Sequence, residues 1–141
     1  MTDHPFRPTI PTMEARVYEG WPKGDFVYEP KWDGFRSLSW SAPALRLDSR
    51  NERPLLRYFP ELTVALEQLP AGTVVDGEIV VVVDGATDFD ALQQRIHPAQ
   101  SRVEMLSKAT PAELVAFDLL AHEGEDLRGR PFRERRERLV E

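Results

Sequence analysis

Asp33-Gly34 stands between two segments whose apolar residues alternate, Phe26-Val27-Tyr28 before it and Phe35, Leu38 and Trp40 after it. Asp-Gly admits the positive φ angles of a two-residue hairpin turn, so the chain is expected to fold back here as paired antiparallel strands. The same stretch, Tyr28-Glu29-Pro30-Lys31-Trp32-Asp33-Gly34-Phe35-Arg36, places a single lysine between a glutamate and the turn. A lysine amine attacks phosphate or carbonyl only when unprotonated, which needs surroundings that depress its pKa and a turn that presents it to a substrate. Taken alone the stretch has two readings, a hairpin with a solvated lysine and a covalent nucleophile. Chance matches to short motifs are frequent enough to put the first ahead.

With 141 residues, 41% hydrophobic and 30% charged, the chain suits one globular domain with a core of its own. No window approaches the roughly 18 consecutive apolar residues of a membrane span, and Met1-Thr2-Asp3-His4-Pro5 lacks the basic and apolar regions of a signal peptide. A soluble, cytoplasmic protein without a membrane partner is expected. Having no cysteine, the chain forms no disulfide, thiolate zinc site or cysteine nucleophile, and His4, His97 and His122 are too scattered to suggest a metal site. A formal charge of −6 argues against a surface that coats nucleic acid, because affinity for phosphates comes largely from cations. Any DNA contact needs a local patch, for which Arg128, Arg130, Arg133, Arg135, Arg136 and Arg138 are the candidates, diluted by Glu134, Glu137 and Glu141. Read alone, that run is a solvated amphipathic helix.

Residues 1–25, with Pro5, Pro8, Pro11 and Pro22, read as an irregular arm lying across a core, with at most a helical turn near Met13 to Arg16. Strands are expected at Phe26 to Lys31, Phe35 to Ser41 and Ala44 to Asp48, then a helix between Pro60 and Leu69 on Leu62, Leu66 and Leu69. Val74 to Val83 reads as a strand interrupted by Asp76-Gly77-Glu78, its run Ile79 to Val83 buried on both faces. Asp88 suits the cap of a helix carrying Phe89, Leu92 and Ile96, and Ser101 the cap of another carrying Val103, Met105 and Leu106. Leu114 to Leu120 reads as a buried strand, and Pro131 as the first turn of a terminal helix bearing Phe132, Leu139 and Val140. Antiparallel β meanders alternating with packed helices make the fold class α+β.

Four polar sites interrupt these segments in order: Glu29 with Lys31 and Asp33, Ser49-Arg50-Asn51, Asp76-Gly77-Glu78, and Phe117-Asp118. Separately each has an innocent reading, since charges are common at strand ends and a buried Phe is usually core. Together they are the parts that nucleotidyl transfer requires: a nucleophilic lysine, carboxylates for a divalent cation, an arginine for phosphate and an aromatic for a base.

In these motifs, with Phe117-Asp118-Leu119-Leu120 as the last, the chain resembles the ATP-dependent DNA ligases, within the covalent nucleotidyltransferases that include mRNA capping enzymes. Tyr58-Phe59-Pro60-Glu61-Leu62 and Gln94-Arg95-Ile96-His97-Pro98 are similar to the bacterial ligase C type in particular. The resemblance implies a nucleotidyltransferase (ATP-grasp-like) adenylation domain in which Lys31 attacks the α-phosphate of ATP, releases pyrophosphate and holds AMP as a phosphoramidate. Glu29 would help recognise the adenine edge, Phe117 would stack on the base, Arg36 and Glu78 would bind the ribose, and Arg50 would face the nucleotide phosphate or the 5′-phosphate of a nick. Pro30 and Trp32 complete the implied nucleotide-binding set. Asp33 would orient Lys31 or, with Glu78, help hold Mg²⁺ or Mn²⁺.

Enzymes of this type continue past the aromatic motif with a Glu-Gly strand motif, a lysine-containing strand motif and an oligonucleotide-binding barrel, none of which occurs before Glu141. The expectation is an irregular arm over 1–25 and a partial adenylation domain over 26–141. As an isolated chain it is expected to be inactive in nick sealing and inefficient in self-adenylation, because the missing lysines would neutralise the α-phosphate. An exposed sheet edge suited to self-association is also expected. Nicked duplex DNA would be the partner of the full-length protein, a cytoplasmic bacterial enzyme acting at the nucleoid. The alternatives are a non-catalytic nucleotide-binding or interaction module, and an RNA capping or RNA ligase nucleotidyltransferase.

Overall fold

The computed structural model describes residues 2–8, 10 and 32–140. The strand expected at Phe26 to Lys31 and the helical turn near Met13 to Arg16 lie outside them. The described residues form an antiparallel sheet with helices packed on it, in agreement with the α+β expectation. Strand β1 spans Phe35–Trp40, β2 Arg46–Ser49, β3 Val74–Val83, β5 Ala112–His122 and β6 Glu125–Asp126, in the spatial order β2-β1-β3-β5-β6, while the short β4, Ala86–Thr87, pairs back onto β3. Helices α1 (Leu62–Gln68), α2 (Phe89–Gln93), α3 (Gln100–Ala109) and α4 (Phe132–Leu139) fill the connections, with a 3₁₀ turn at Leu56–Tyr58. No helix among the described residues is long and apolar enough to cross a membrane.

Side-chain alternation divides the sheet. Phe35, Leu47, Ile79, Val81 and Leu114 belong to the main core, where Leu62 and Leu66 of α1, Leu92 of α2 and Phe59 meet them. Opposite strand positions share the other face: Arg36 lies across from Glu78, Leu38 from Asp76 and Trp40 from Val74. One end of that face is apolar and covered by the N-terminal arm, whose Phe6 and Ile10 pack on Leu38, Trp40 and Val74. The other end, towards Gly34, is charged.

The described residues of this segment thus lie against a core. His4 and Phe6 meet Trp40 edge-on, with ring centroids at 5.3 and 5.5 Å. Its approach depends on Gly72, at φ +74°, where a Cβ would come within 2.7 Å of the Asp3 carbonyl oxygen. Here the glycine serves twice, for the left-handed backbone and for the close packing.

Four expectations need correction. Asp76-Gly77-Glu78 does not interrupt a strand; β3 runs through it, and the irregularity falls on the partner strand β5. Val82 and Val83 are 40% and 38% exposed rather than buried on both faces, because β3 outruns the helices there and turns into β4. Ser101 lies inside α3, whose cap is Ala99, whereas Asp88 caps α2 by accepting from the Ala91 amide at 2.9 Å. Strand β2 begins at Arg46 rather than Ala44, because the turn at Ala42-Pro43 extends through Ala44. The terminal helix follows Pro131 as expected, with Leu139 packed against Val75, Leu119 and Leu127.

Candidate functional site

A cleft of about 460 Å³ opens at the charged end of the sheet, lined by Gly34, Phe35, Arg36, Ser49, Arg50, Asn51, Leu55, Glu78 and Ile96. Three segments far apart in sequence meet there: the residues after the Asp33-Gly34 bend, the loop after β2 and the middle of β3. Gly34 is required by proximity, since a Cβ would strike the Ile79 carbonyl oxygen and come within 2.8 Å of Val80 Cγ1. Only glycine lets the entering chain lie so close to β3.

Arg50 and Asn51 are presented by a tight loop. Ser49 donates its amide to the Arg53 carbonyl at 2.8 Å, its hydroxyl accepts from the Arg53 amide at 3.1 Å, and Glu52 takes a left-handed φ of 62°. These bonds consume the loop's own polar groups and leave Arg50 exposed at the cleft wall, with no ion-pair partner among the described residues. A mobile guanidinium at the edge of a cleft suits an arriving anion. Just behind the loop, Asp48 is buried and accepts from Arg46 Nε at 2.6 Å. Burial lifts its pKa above the ordinary carboxylate value and Arg46 opposes that rise.

Across the sheet, the register between β3 and β5 slips at Asp76/Gly77: Asp76 pairs with Asp118 and Gly77 with Ala116, leaving Phe117 as the extra residue of a bulge. A bulge re-aims the side chain it carries. Gly77 makes this possible, because a Cβ there would collide with the Val115 carbonyl oxygen and lie 3.0 Å from Ala116 Cα. The Arg36 guanidinium stands 4.8 Å from the Phe117 ring centroid and donates to both carboxylate oxygens of Asp76, at 2.7 and 2.6 Å. Burial raises the Asp76 pKa, with Arg36 opposing it, and the bond that Arg36 donates to Asp76 raises the pKa of Arg36. Asp118 is held in the same way from the far side by Arg135 of α4, at 2.8 and 3.1 Å.

Of the residues singled out in the sequence, Arg36, Arg50 and Glu78 line one cleft, and Phe117 adjoins it through Arg36. Trp32 is 38% exposed. Asp33 lines a separate depression with Asp84, Asp88 and Asp90. Glu29, Pro30 and Lys31 lie outside the described residues. Among the described residues no group of three or more His, Asp or Glu could hold a metal ion by itself. Asp33 and Glu78 are therefore not brought together as a metal pair, and Glu78 is the carboxylate that lines the cleft.

The sequence reading gave Asp76 and Asp118 a place in motifs but no individual role, and Arg135 a place only in the arginine run. A signal for the two acids was present, since each sits in an apolar strand and a buried carboxylate needs a cation. Nothing in the spacing marked Arg135 as the cation for Asp118. Four members of the arginine run are engaged by acids: Arg128 by Asp126, Arg130 by Glu125 and Glu134, Arg135 by Asp118 and Arg138 by Glu125. The helix expected for this run is present, and its pairing leaves less free positive charge for a DNA contact than the sequence suggested.

The chain is similar to known proteins. A family model described as "ATP dependent DNA ligase domain" matches residues 12–141. DNA ligase C of Mycobacterium tuberculosis is 52% identical over 97% of the chain, and the multifunctional non-homologous end joining protein LigD of Pseudomonas aeruginosa is 37% identical over 89%. The chain spans 38% of the first relative's length and 14% of the second's. A solved structure of mycobacterial DNA ligase D complexed with ATP and MES superposes with a TM-score of 0.63 at 33% identity, over 79% of this chain and 35% of that one. With the family model matching nearly the whole chain and a relative at 52% identity, the chain belongs to the ATP-dependent DNA ligase domain family.

Proposed function

We propose that the chain is the nucleotide-activating part of an ATP-dependent DNA ligase and that ATP occupies the cleft beside Arg36, Arg50 and Glu78. The observation that carries this reading is the convergence of three separated motifs on one cleft, which two cations face, with Glu78 opposite Arg36 on the neighbouring strand. Its dimensions suit a nucleotide, since small-molecule clefts run from about 300 to 1,000 Å³. Lys31, directly before the bend that feeds the cleft, is the proposed nucleophile. Its amine attacks the α-phosphorus, the bond to the bridging oxygen breaks, pyrophosphate leaves, and AMP remains on Nζ after loss of the amine protons to solvent.

The remaining side chains act by position and charge. Phe117 offers its face to adenine, with Glu29, Pro30 and Trp32 near the base edge. Arg36 and Glu78 flank the ribose, and Arg50 takes a phosphate with its planar fork. Mg²⁺, held through Glu78, phosphate oxygens and water, would lower the charge of the triphosphate. Nicked duplex DNA is the proposed acceptor of the activated AMP in the longer proteins of the family.

Incubation with α-labelled ATP and Mg²⁺, beside Lys31→Ala, tests the chemistry. Equilibrium dialysis with ATP tests the site. The expected result is ATP binding weakened by Arg36→Ala and Glu78→Ala, with a slow label that Lys31→Ala abolishes. Binding without any label would assign the chain to the non-catalytic nucleotide-binding modules. Binding indifferent to Arg36 and Glu78 would remove ATP from this cleft.

A further inference from the structure

We infer that Arg135 of α4 is a positioning residue for the nucleotide site, holding the Phe117 ring in place through the cross-strand carboxylates Asp118 and Asp76. The inference rests on the ATP reading for its functional consequence but on geometry for its mechanism. Asp76 and Asp118 are register partners in the middle of the sheet and each is only 1% exposed. Two carboxylates opposed across adjacent strands repel, and burial removes the water that would screen them. Each has its own guanidinium, brought from opposite sides: Arg36 from β1 grips Asp76, and Arg135 from α4 grips Asp118 through two nitrogens.

The two halves of this quartet are coupled at the bulge. Asp118 follows Phe117 directly, and Arg36 is the group that covers the Phe117 ring. Without Arg135, Asp118 becomes a buried anion that still interacts electrostatically with Arg36. Arg36 is then divided between two carboxylates and leaves the ring, or the bulge opens to hydrate Asp118. Either response moves the surface offered to the base. Helix α4 also brings Leu139 onto Val75 and Leu119, so its docking and the charge balance of the site are one event.

The experiment uses the 141-residue chain with 4-fluorophenylalanine at position 117. Fluorine NMR reports the ring's surroundings without any nucleotide, and Arg36→Met marks the resonance of a ring stripped of its guanidinium. Arg135→Met is expected to move the resonance towards that mark and to weaken ATP binding by roughly tenfold. Arg135→Met combined with Asp118→Asn removes the stranded charge and is expected to return both readouts towards the parent. Failure of that recovery would show that α4 acts by packing alone and would overturn the inference, as would a parental resonance in Arg135→Met. If Arg135→Met does not fold, Arg135→Lys, which keeps the charge but not the fork, is expected to shift the ring part-way, and an unshifted ring again overturns the inference. Absence of ATP binding in the parent, with the fluorine shifts as expected, would sink the nucleotide reading and leave the positioning mechanism standing.

Discussion

Arg36 covers the face of Phe117 with the same guanidinium that grips Asp76 at 2.6 and 2.7 Å. One side chain thereby ties the strand after the Asp33-Gly34 bend to both motifs further along the chain. Removing it leaves Asp76 charged and almost wholly buried. Arg36→Ala should destabilise the fold by about 3 kcal/mol, and the double variant Arg36→Ala/Asp76→Asn by clearly less. Urea unfolding of the two variants measures the difference, and equal losses would show that the ion pair does not set the cost.

Gly77 should tolerate no side chain, whereas Gly129 should. A Cβ at Gly77 would collide with the Val115 carbonyl oxygen, forcing β5 away at the bulge, while one at Gly129 meets nothing within 4 Å. Gly77→Ala is expected to lose about 1–3 kcal/mol through overpacking and Gly129→Ala to stay within about 0.5 kcal/mol of the parent. Paired denaturation curves check this. Similar curves for both would mean that β5 yields easily.

Arg95 is the buried counterpart of the site arginines. It donates to both carboxylate oxygens of Glu61 and to the Tyr58 and Thr110 carbonyls, beneath the Phe59 ring at 4.9 Å. Arg95→Met strands those acceptors and should lower stability by about 3–5 kcal/mol, while cutting the exposed pair Arg130–Glu134 by Arg130→Ala should cost far less. Thermal unfolding ranks the two variants, and a larger loss at Arg130 would contradict the burial argument.

Acid should loosen the N-terminal arm before it unfolds the sheet. Burial against Trp40 holds the His4 pKa below its ordinary 6.5, so the folded state prefers neutral imidazole. The contribution is complete above pH 6.5 and is lost as pH falls from there through the depressed value, because the unfolded or detached arm binds the proton more readily. Trp40 fluorescence, in a background carrying Trp21→Phe and Trp32→Phe, is expected to change across that window, and His4→Gln to flatten the change. A transition unaffected by His4→Gln would point to another group.

Much of this was legible along the chain because it depends on near neighbours. The alternation of Phe35, Leu38 and Trp40, the spacing of Leu62 and Leu66, and the capping of α2 by Asp88 are all decided within a few residues. What escaped was set by contacts between distant segments. The slip between β3 and β5 is invisible in either strand's own pattern, since two-residue alternation does not say where a partner inserts an extra residue. The arginine run read as one solvated face, yet Arg135 reaches an acid 17 residues earlier that the fold brings beneath α4.

By itself the sequence determined the α+β class, the order of the motifs and the candidate groups for a nucleotide site, because motifs and periodicities are properties of consecutive residues. The tertiary structure alone decided that Arg36, Arg50 and Glu78 share a cleft, that Asp33 borders a different depression, and that Phe117 rides on a bulge under Arg36. The physical reason is burial. Desolvated carboxylates at Asp76 and Asp118 must find cations, and only the packed sheet determines which arginines are near enough to serve.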